Sequence, residues 1–185
     1  MPSPIAHSAM GYLIYRISSS RQPEDRWRPA RSIPRVMLIT VSLSLLPDID
    51  AIFGVLAGDF GEFHNNWTHS LVTGVVVSAL IGTAVWLVKR SGFLKWFLIA
   101  LASYELHVIM DFFTRGRGVM LLWPLTADRF SSPVTLFYGL RWSEGLFSLF
   151  HLLTLATESV FVLLVWLILQ LIEGKRRIQW EQESS

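Results

Sequence analysis

Val36-Met-Leu-Ile-Thr-Val-Ser-Leu-Ser-Leu-Leu-Pro47-Asp48-Ile-Asp50-Ala-Ile-Phe-Gly-Val-Leu-Ala-Gly58 is an apolar run interrupted near its middle by a proline and two carboxylates. A helix needs roughly 20 apolar residues to cross a bilayer core, and this run supplies them. Pro47 disrupts the helix above it and frees backbone groups that protein or water must satisfy. Ionisable groups inside such a segment are costly and by default mark a functional site. Two carboxylates two residues apart diverge on an ideal helix, but a backbone broken at Pro47 can converge them or aim them at two metals. A polar helix cap is the bland alternative, and it needs only one Asp.

Three further runs are long enough to span, at residues 70–88, 93–114 and 157–173, the last extendable backward through Leu152–Ala156. With 52% hydrophobic and 16% charged residues against about 25% charged in soluble domains, the 185-residue chain reads as one membrane domain. The expected fold is all-α, a polytopic membrane helical bundle of four long spans. Residues 4–17 add a short N-terminal helix, either a fifth span or an interfacial segment. Residues 1–175 form the metal-binding helical domain, and 176–185 a polar cytoplasmic tail. A net charge of +2 does not suggest a nucleic-acid binder, and the absence of cysteine excludes thiolate metal sites.

Charge placement sets the orientation. Arg16, Arg21, Arg26, Arg28, Arg31 and Arg35 precede the first span, Lys89, Arg90 and Lys95 separate the second from the third, and Lys175, Arg176 and Arg177 follow the last. Alternating spans put all of these on one side, leaving Arg115, Arg117, Arg129 and Arg141 on the other. The richer side is cytoplasmic by the positive-inside rule, in an inner (cytoplasmic) membrane. Asp48, Asp50, His64, His69, His107 and Asp111 then all lie toward the opposite leaflet. His7 joins them if residues 4–17 run from outside to inside.

The individual motifs differ in strength. His107 and Asp111 are four residues apart, stacked on one helical face and able to share a metal, or else to form a buried packing hydrogen bond. His64 and His69, five apart at the mouth of the second span, gain weight from the Asp pair across one loop. Glu105 points to another face, as a partner orienting a ligand or as a protonated structural group. Glu158 opens the last span, where an acid also suits a helix N-terminus. His151 lies in an amphipathic stretch, Trp142 to Leu155, that reads as interfacial. Arg115 and Arg117, flanked by glycines just after Asp111, suit a phosphate as well as lipid head groups.

Pro4-Ile-Ala-His7, Leu46-Pro47-Asp48-Ile49-Asp50, His64 with Thr68-His69-Ser70, His107-x3-Asp111, Gly118-Val-Met-Leu-Leu-Trp-Pro124 and Glu158 occur here in order. Together they resemble the YdjM-like family of inner-membrane proteins, a resemblance that implies a metal-dependent hydrolase. The family is in turn distantly similar to the zinc-dependent phospholipase C and single-strand nuclease fold, whose clustered zinc ions cleave phosphoesters. The resemblance implies metal ligation by His7, Asp48, Asp50, His64, His69, His107, Asp111 and Glu158. It departs from that distant fold in two places. There the N-terminal amine is a ligand, whereas here six residues precede His7, and the late His-x3-Glu pair is missing because His151 and Glu158 are seven apart.

The expectation is a membrane-embedded hydrolase of phosphoesters on lipid or lipid-linked substrates at the outer leaflet. It would use two or three Zn2+ ions, with Mn2+ or Fe as alternatives. Two ions about 3.5–4 Å apart would share a water. Asp48 or Asp50 would bridge them or act as base, and Arg115 and Arg117 would hold the phosphate. A metal-stabilised scaffold is the alternative, with a cytoplasmic protein partner at 16–35; the family resemblance implies a repressor there. A metal-ion transporter is a third option, disfavoured because its ligands belong near the midplane.

Overall fold

The computed structural model describes residues 2–19, 34–58, 63–139 and 148–183. Among these the protein is helical, with two isolated bridges, Thr114 to Phe137 and Val119 to Phe130. Helix α1 covers Pro4–Ser18 and α2 Arg35–Leu45; a 3-10 turn at Leu46–Asp48 leads into α3, Ile49–Ala57. A second 3-10 turn, Trp67–His69, precedes α4 (Leu71–Lys89), α5 (Phe93–Phe112) and α6 (Phe150–Glu183). Four segments are long and apolar enough to cross a membrane: Arg35–Ala57, Leu71–Lys89, Phe93–Phe112 and Phe150–Glu183. The expected all-α bundle with four long spans is the fold observed.

The first span breaks where the proline requires it. Pro47 lies within the first turn of the Leu46–Asp48 3-10 segment, where a missing N–H costs least. The chain then restarts as α3, which presents Ile52, Phe53, Val55 and Leu56 outward. Such exposed apolar side chains recur on α4 and α6, including Leu80, Val88, Leu163 and Trp166. That surface suits a hydrocarbon solvent, and the helical backbone satisfies its own polar groups there.

Helices α4 and α5 form an antiparallel hairpin. The Ser70 hydroxyl caps α4 by accepting the Thr73 N–H at 3.1 Å, and Arg90 and Gly92 turn the chain with positive φ of 55° and 82°. Gly74, Ser78 and Gly82 lie four residues apart and are buried on one face of α4. A Cβ at Gly74 would run into the Glu105 carboxylate and lie 2.9 Å from Tyr104 Cδ1; at Gly82 it would meet Phe93 at 3.1 Å. Small residues at this spacing let two membrane helices approach closely.

Helix α1 has 15 residues, about 22 Å, which is short for the bilayer core. It falls short of the four long spans in length. It packs inside the bundle against α2, α5 and α6, burying Ala6, His7, Gly11, Leu13, Ile14 and Tyr15. Gly11 makes this possible, because a Cβ there would sit 2.5 Å from Ser44 Oγ and 2.8 Å from Val41 Cα. Both ends of α1 are tied to α6. The Ser3 N–H donates to Glu158 Oε1 at 2.6 Å, Arg16 pairs with Glu173, and Arg176 donates to the carbonyls of Arg16 (3.0 Å) and Ile17 (2.9 Å). The two helices therefore run parallel, in the direction expected for residues 4–17.

Residues 176–183 continue α6, whose 34 residues extend for roughly 50 Å and outrun a bilayer core, so the polar end of the chain is helical as far as Glu183. The stretch read as interfacial is part of the same helix from Phe150 onward. Its residues 142–147, together with Arg141 and positions 20–33 of the proposed docking segment, lie outside the described residues.

Candidate metal centre

Four elements deliver polar side chains to one end of the bundle: the start of α1, the Pro47 break, the Trp67–His69 turn and the end of α5. Asp48, Asp50, His64, His69, His107 and Asp111 meet there, and His7 lies beside them. Two groups of ligand atoms are close enough to hold an ion: Asp48, His69, His107 and Asp111; and Asp50, His64 and His69. His69 belongs to both through opposite ring nitrogens, Nε2 facing Asp48 and Asp111, Nδ1 facing Asp50.

Hydrogen bonds fix how each imidazole points. A carbonyl or carboxylate oxygen can only accept, so the nitrogen facing it carries the proton. His107 Nδ1 donates to the Ser44 carbonyl at 2.7 Å, and His64 Nδ1 to Asp50 Oδ1 at 2.8 Å. His69 Nδ1 faces Asp50 Oδ2 at 3.2 Å and Thr68 Oγ1 at 3.0 Å. The Thr68 hydroxyl donates to Asp50 Oδ2 at 2.6 Å, and Tyr104 holds the Thr68 carbonyl at 2.6 Å. With Nδ1 committed in each ring, Nε2 is left as the inward donor atom. An anchored Nδ1–H that orients a ligating imidazole is the usual support of a metal-binding histidine.

The inward atoms nearly outline a coordination polyhedron. His69 Nε2 and His107 Nε2 are 3.2 Å apart. Asp48 Oδ1 lies 3.5 and 3.4 Å from them, and Asp111 Oδ2 lies 3.1 and 3.4 Å from them. A tetrahedral ion with bonds of ~2.0–2.1 Å has ligand–ligand edges of roughly 3.3–3.4 Å. These five edges lie close to those values. Asp48 Oδ1 and both oxygens of Asp111 are buried without a hydrogen-bond donor. Two imidazole nitrogens and two carboxylates at these spacings could hold a metal ion between them. Burial opposes charge on His69, yet its bonds to Asp111, Asp48 and Asp50 outweigh this and hold its pKa well above the usual histidine value.

His64 and His7 flank this centre. His64 Nε2 lies 3.8 Å from Asp48 Oδ1, and His7 Nε2 lies 3.7 Å from Asp111 Oδ1. His7 stacks on His107 with ring centroids 3.7 Å apart and an interplanar angle of 19°. Its two ring nitrogens are buried without a partner, so it can add a donor next to Asp111 but stands outside the tight group. Asp48 is the most exposed of the four, with 13% of its side chain accessible, whereas His69, His107 and Asp111 are sealed. The accessible face is therefore the Asp48–His64 side.

The remaining candidates lie elsewhere. Glu158 is in neither group; its two carboxylate oxygens accept the Ser3 N–H and the Ser3 hydroxyl at the start of α1. Arg117 donates to the His64 carbonyl and so steadies a histidine, while the Arg115 side chain is exposed. Glu105 abuts Gly74, away from the centre. Sequence reasoning missed Arg129, which donates to the Asn65 carbonyl at 2.8 Å and also to Asn66 Oδ1, bracing the loop that carries His64. It missed Tyr104 and Ser44 as well, and met Thr68 only as a neighbour of His69. Arg129, Tyr104 and Ser44 carry no pattern in sequence, because each acts through a contact with a residue at least 36 positions away.

Fold and site together define a multi-pass membrane protein with a buried His/Asp cluster that can hold a metal ion. The YdjM inner membrane protein family matches residues 1–181, and the chain belongs to that family, which places it in the inner membrane. It is 38% identical over 108 residues to the inner membrane protein YbcI of Escherichia coli (strain K12), an alignment covering 54% of this chain and 60% of that protein. No solved structure matches the chain.

Proposed function

We propose that the protein is a metal-dependent hydrolase of phosphoesters, with its centre toward the extracytoplasmic side. The observation that carries this reading is the convergence of Asp48, His69, His107 and Asp111 at spacings of 3.1–3.5 Å, close enough to share one ion. Zinc suits the imidazole-plus-carboxylate set, with Mn2+ or Fe as alternatives. When bound, such an ion acts as a Lewis acid toward a phosphoryl oxygen and lowers the pKa of a water.

The chain's own residues divide the work. His69, His107, Asp111 and Asp48 hold the ion. Asp50 aligns His64 and His69 by accepting from both, and is assigned to orientation rather than ligation. Asp48, the accessible carboxylate, meets the incoming water. His7 beside Asp111 and His64 beside Asp48 are the donors available to a second ion. Arg115 is the free cation for the phosphate, and Arg117 acts by positioning His64. The phospholipase C and nuclease likeness rests on the residue pattern alone.

One observation favours a second reading. Four protein donors on a tetrahedron fill an ion's coordination, as in structural zinc sites, whereas catalytic sites keep a position open. A metal-stabilised scaffold without turnover would look the same at these four residues. Metal analysis of the purified full-length protein, combined with assays on soluble and lipid phosphoesters, separates the two. Stoichiometric metal with phosphate release lost in Asp48→Asn supports the hydrolase. Stoichiometric metal without release from any phosphoester supports the scaffold, and a metal-free wild type overturns both.

A further inference from the structure

A cavity of about 320 Å³ lies between α5 and α6, backed by α1. Its walls include Met10, Leu106, Phe113, Phe137, Val160 and Leu164. Thr157 is its one polar wall residue, and that hydroxyl is turned back to the Leu153 and Thr154 carbonyls at 3.0 and 3.1 Å. The cavity thus offers an occupant nothing but apolar contact, and its size is that of a small-molecule pocket. It exists because α6 packs along α1 rather than along α5. Three of its lining residues, Ile109, Val160 and Leu164, are also exposed on the outer surface of α5 and α6, so the cavity adjoins the apolar faces that suit lipid.

Its position relates it to the metal centre. The inner wall is Met110 and Phe137, which pack with Ala6 in one cluster; Met110 and Ala6 immediately precede Asp111 and His7 in the chain. One end is formed by Phe113 and Phe137, where the backbone N–H of the exposed Arg115 donates to the Phe137 carbonyl at 2.9 Å. A dry slot with an exposed arginine anchored at its end, one residue behind the His/Asp cluster, matches a molecule with a hydrocarbon tail and an anionic head.

We infer that the cavity between α5 and α6 seats the hydrocarbon tail of a membrane lipid whose phosphate lies at Arg115, making the substrate class a lipid phosphoester. This rests on the hydrolase reading for the word substrate, but not for tail binding itself. The tail enters sideways from the bilayer, and the head group follows residues 113–118 toward the Asp48–His64 face.

The test uses the full-length protein in nanodiscs containing a phosphatidic acid with a diazirine in its acyl tail. Met110 and Phe137 are each 4% exposed, so a label on them requires a chain inside the cavity, whereas Leu80 and Val88 on α4 report bulk lipid. The expected result is labelling of Met110 and Phe137 at or above the α4 level, falling about fivefold in Val160→Trp, which fills the pocket. Arg115→Gln should weaken labelling by phosphatidic acid more than by phosphatidylcholine of the same tail. Label confined to α4 and other outward faces overturns the inference, and this arm needs no variant to fold. Phosphate release from soluble p-nitrophenyl phosphate and from the lipid is measured in parallel. Cavity labelling without any release leaves the tail site standing and removes the hydrolase; release without cavity labelling does the reverse.

Discussion

At the scale of single residues, the centre separates atoms that would touch an ion from those that aim them. His69→Ala and His107→Ala each remove an inward Nε2, and stoichiometric metal should be lost in both, read by elemental analysis after gel filtration. Asp50→Asn keeps the shape but turns an acceptor for two Nδ1–H groups into an amide that satisfies only one. Loss of such support typically weakens metal binding about 10–100-fold, and competition with a chelator should show a decline of that order. The sign of the pH dependence follows from His69. Its folded pKa is raised, so the metal-free protein keeps a proton there at neutral pH that the ion must displace. Apparent affinity should therefore climb with pH across the neutral range, by about one decade per unit for one released proton, and ion uptake should fail in acid. An affinity independent of pH from 6 to 9 would contradict this protonation state.

At the scale of elements, the site depends on helices meeting at close range. Gly11 sets the distance between α1 and α2, which brings His7 onto His107 and its carbonyl onto the Ser44 hydroxyl at 2.9 Å. Gly11→Val must push Val41 and Ser44 aside, and overpacking of this kind costs about 1–3 kcal/mol. Thermal unfolding in detergent should show the loss, with Gly116→Ala as a control for a glycine that has no neighbour within 4 Å. The elements themselves were readable in advance. Four apolar runs became four spans because a bilayer-crossing helix must satisfy its own backbone, so length and hydropathy leave little freedom. Pro47 announced the break at Leu46–Asp48 for an equally local reason. The packing of residues 4–17 was not local, since a short stretch with His7, Ser8 and Arg16 among its apolar residues does not announce its neighbours, and the fit of Gly11 against α2 is a contact between distant segments.

At the scale of the whole molecule, the clustering of site residues at one end of the bundle follows from topology. Alternating spans send the end of α5, the start of α4 and the Pro47 break to a common side, and the parallel pairing of α1 with α6 brings His7 to it. The positive-inside rule then proposes that the arginine-rich ends face the cytoplasm. A reporter fused after Ser185 should read cytoplasmic, and one inserted at Ala127 in the loop after α5 should read periplasmic; the opposite pair would invert the orientation and move the centre to the inner leaflet. The sequence by itself determined the class of fold, the spans, the proline break and the residues able to bind a metal, because hydropathy and ligand chemistry are properties of the residues themselves. Only the tertiary structure decided which of them lie close enough to share an ion. It brought Asp48 beside His107 across 59 positions and Asp50 against His64. It drew Glu158 away to Ser3 and enlisted Thr68, Tyr104, Arg117 and Arg129 as supports. Coordination demands atoms within a few ångströms, and that proximity is set by helix packing between distant segments rather than by any spacing along the chain.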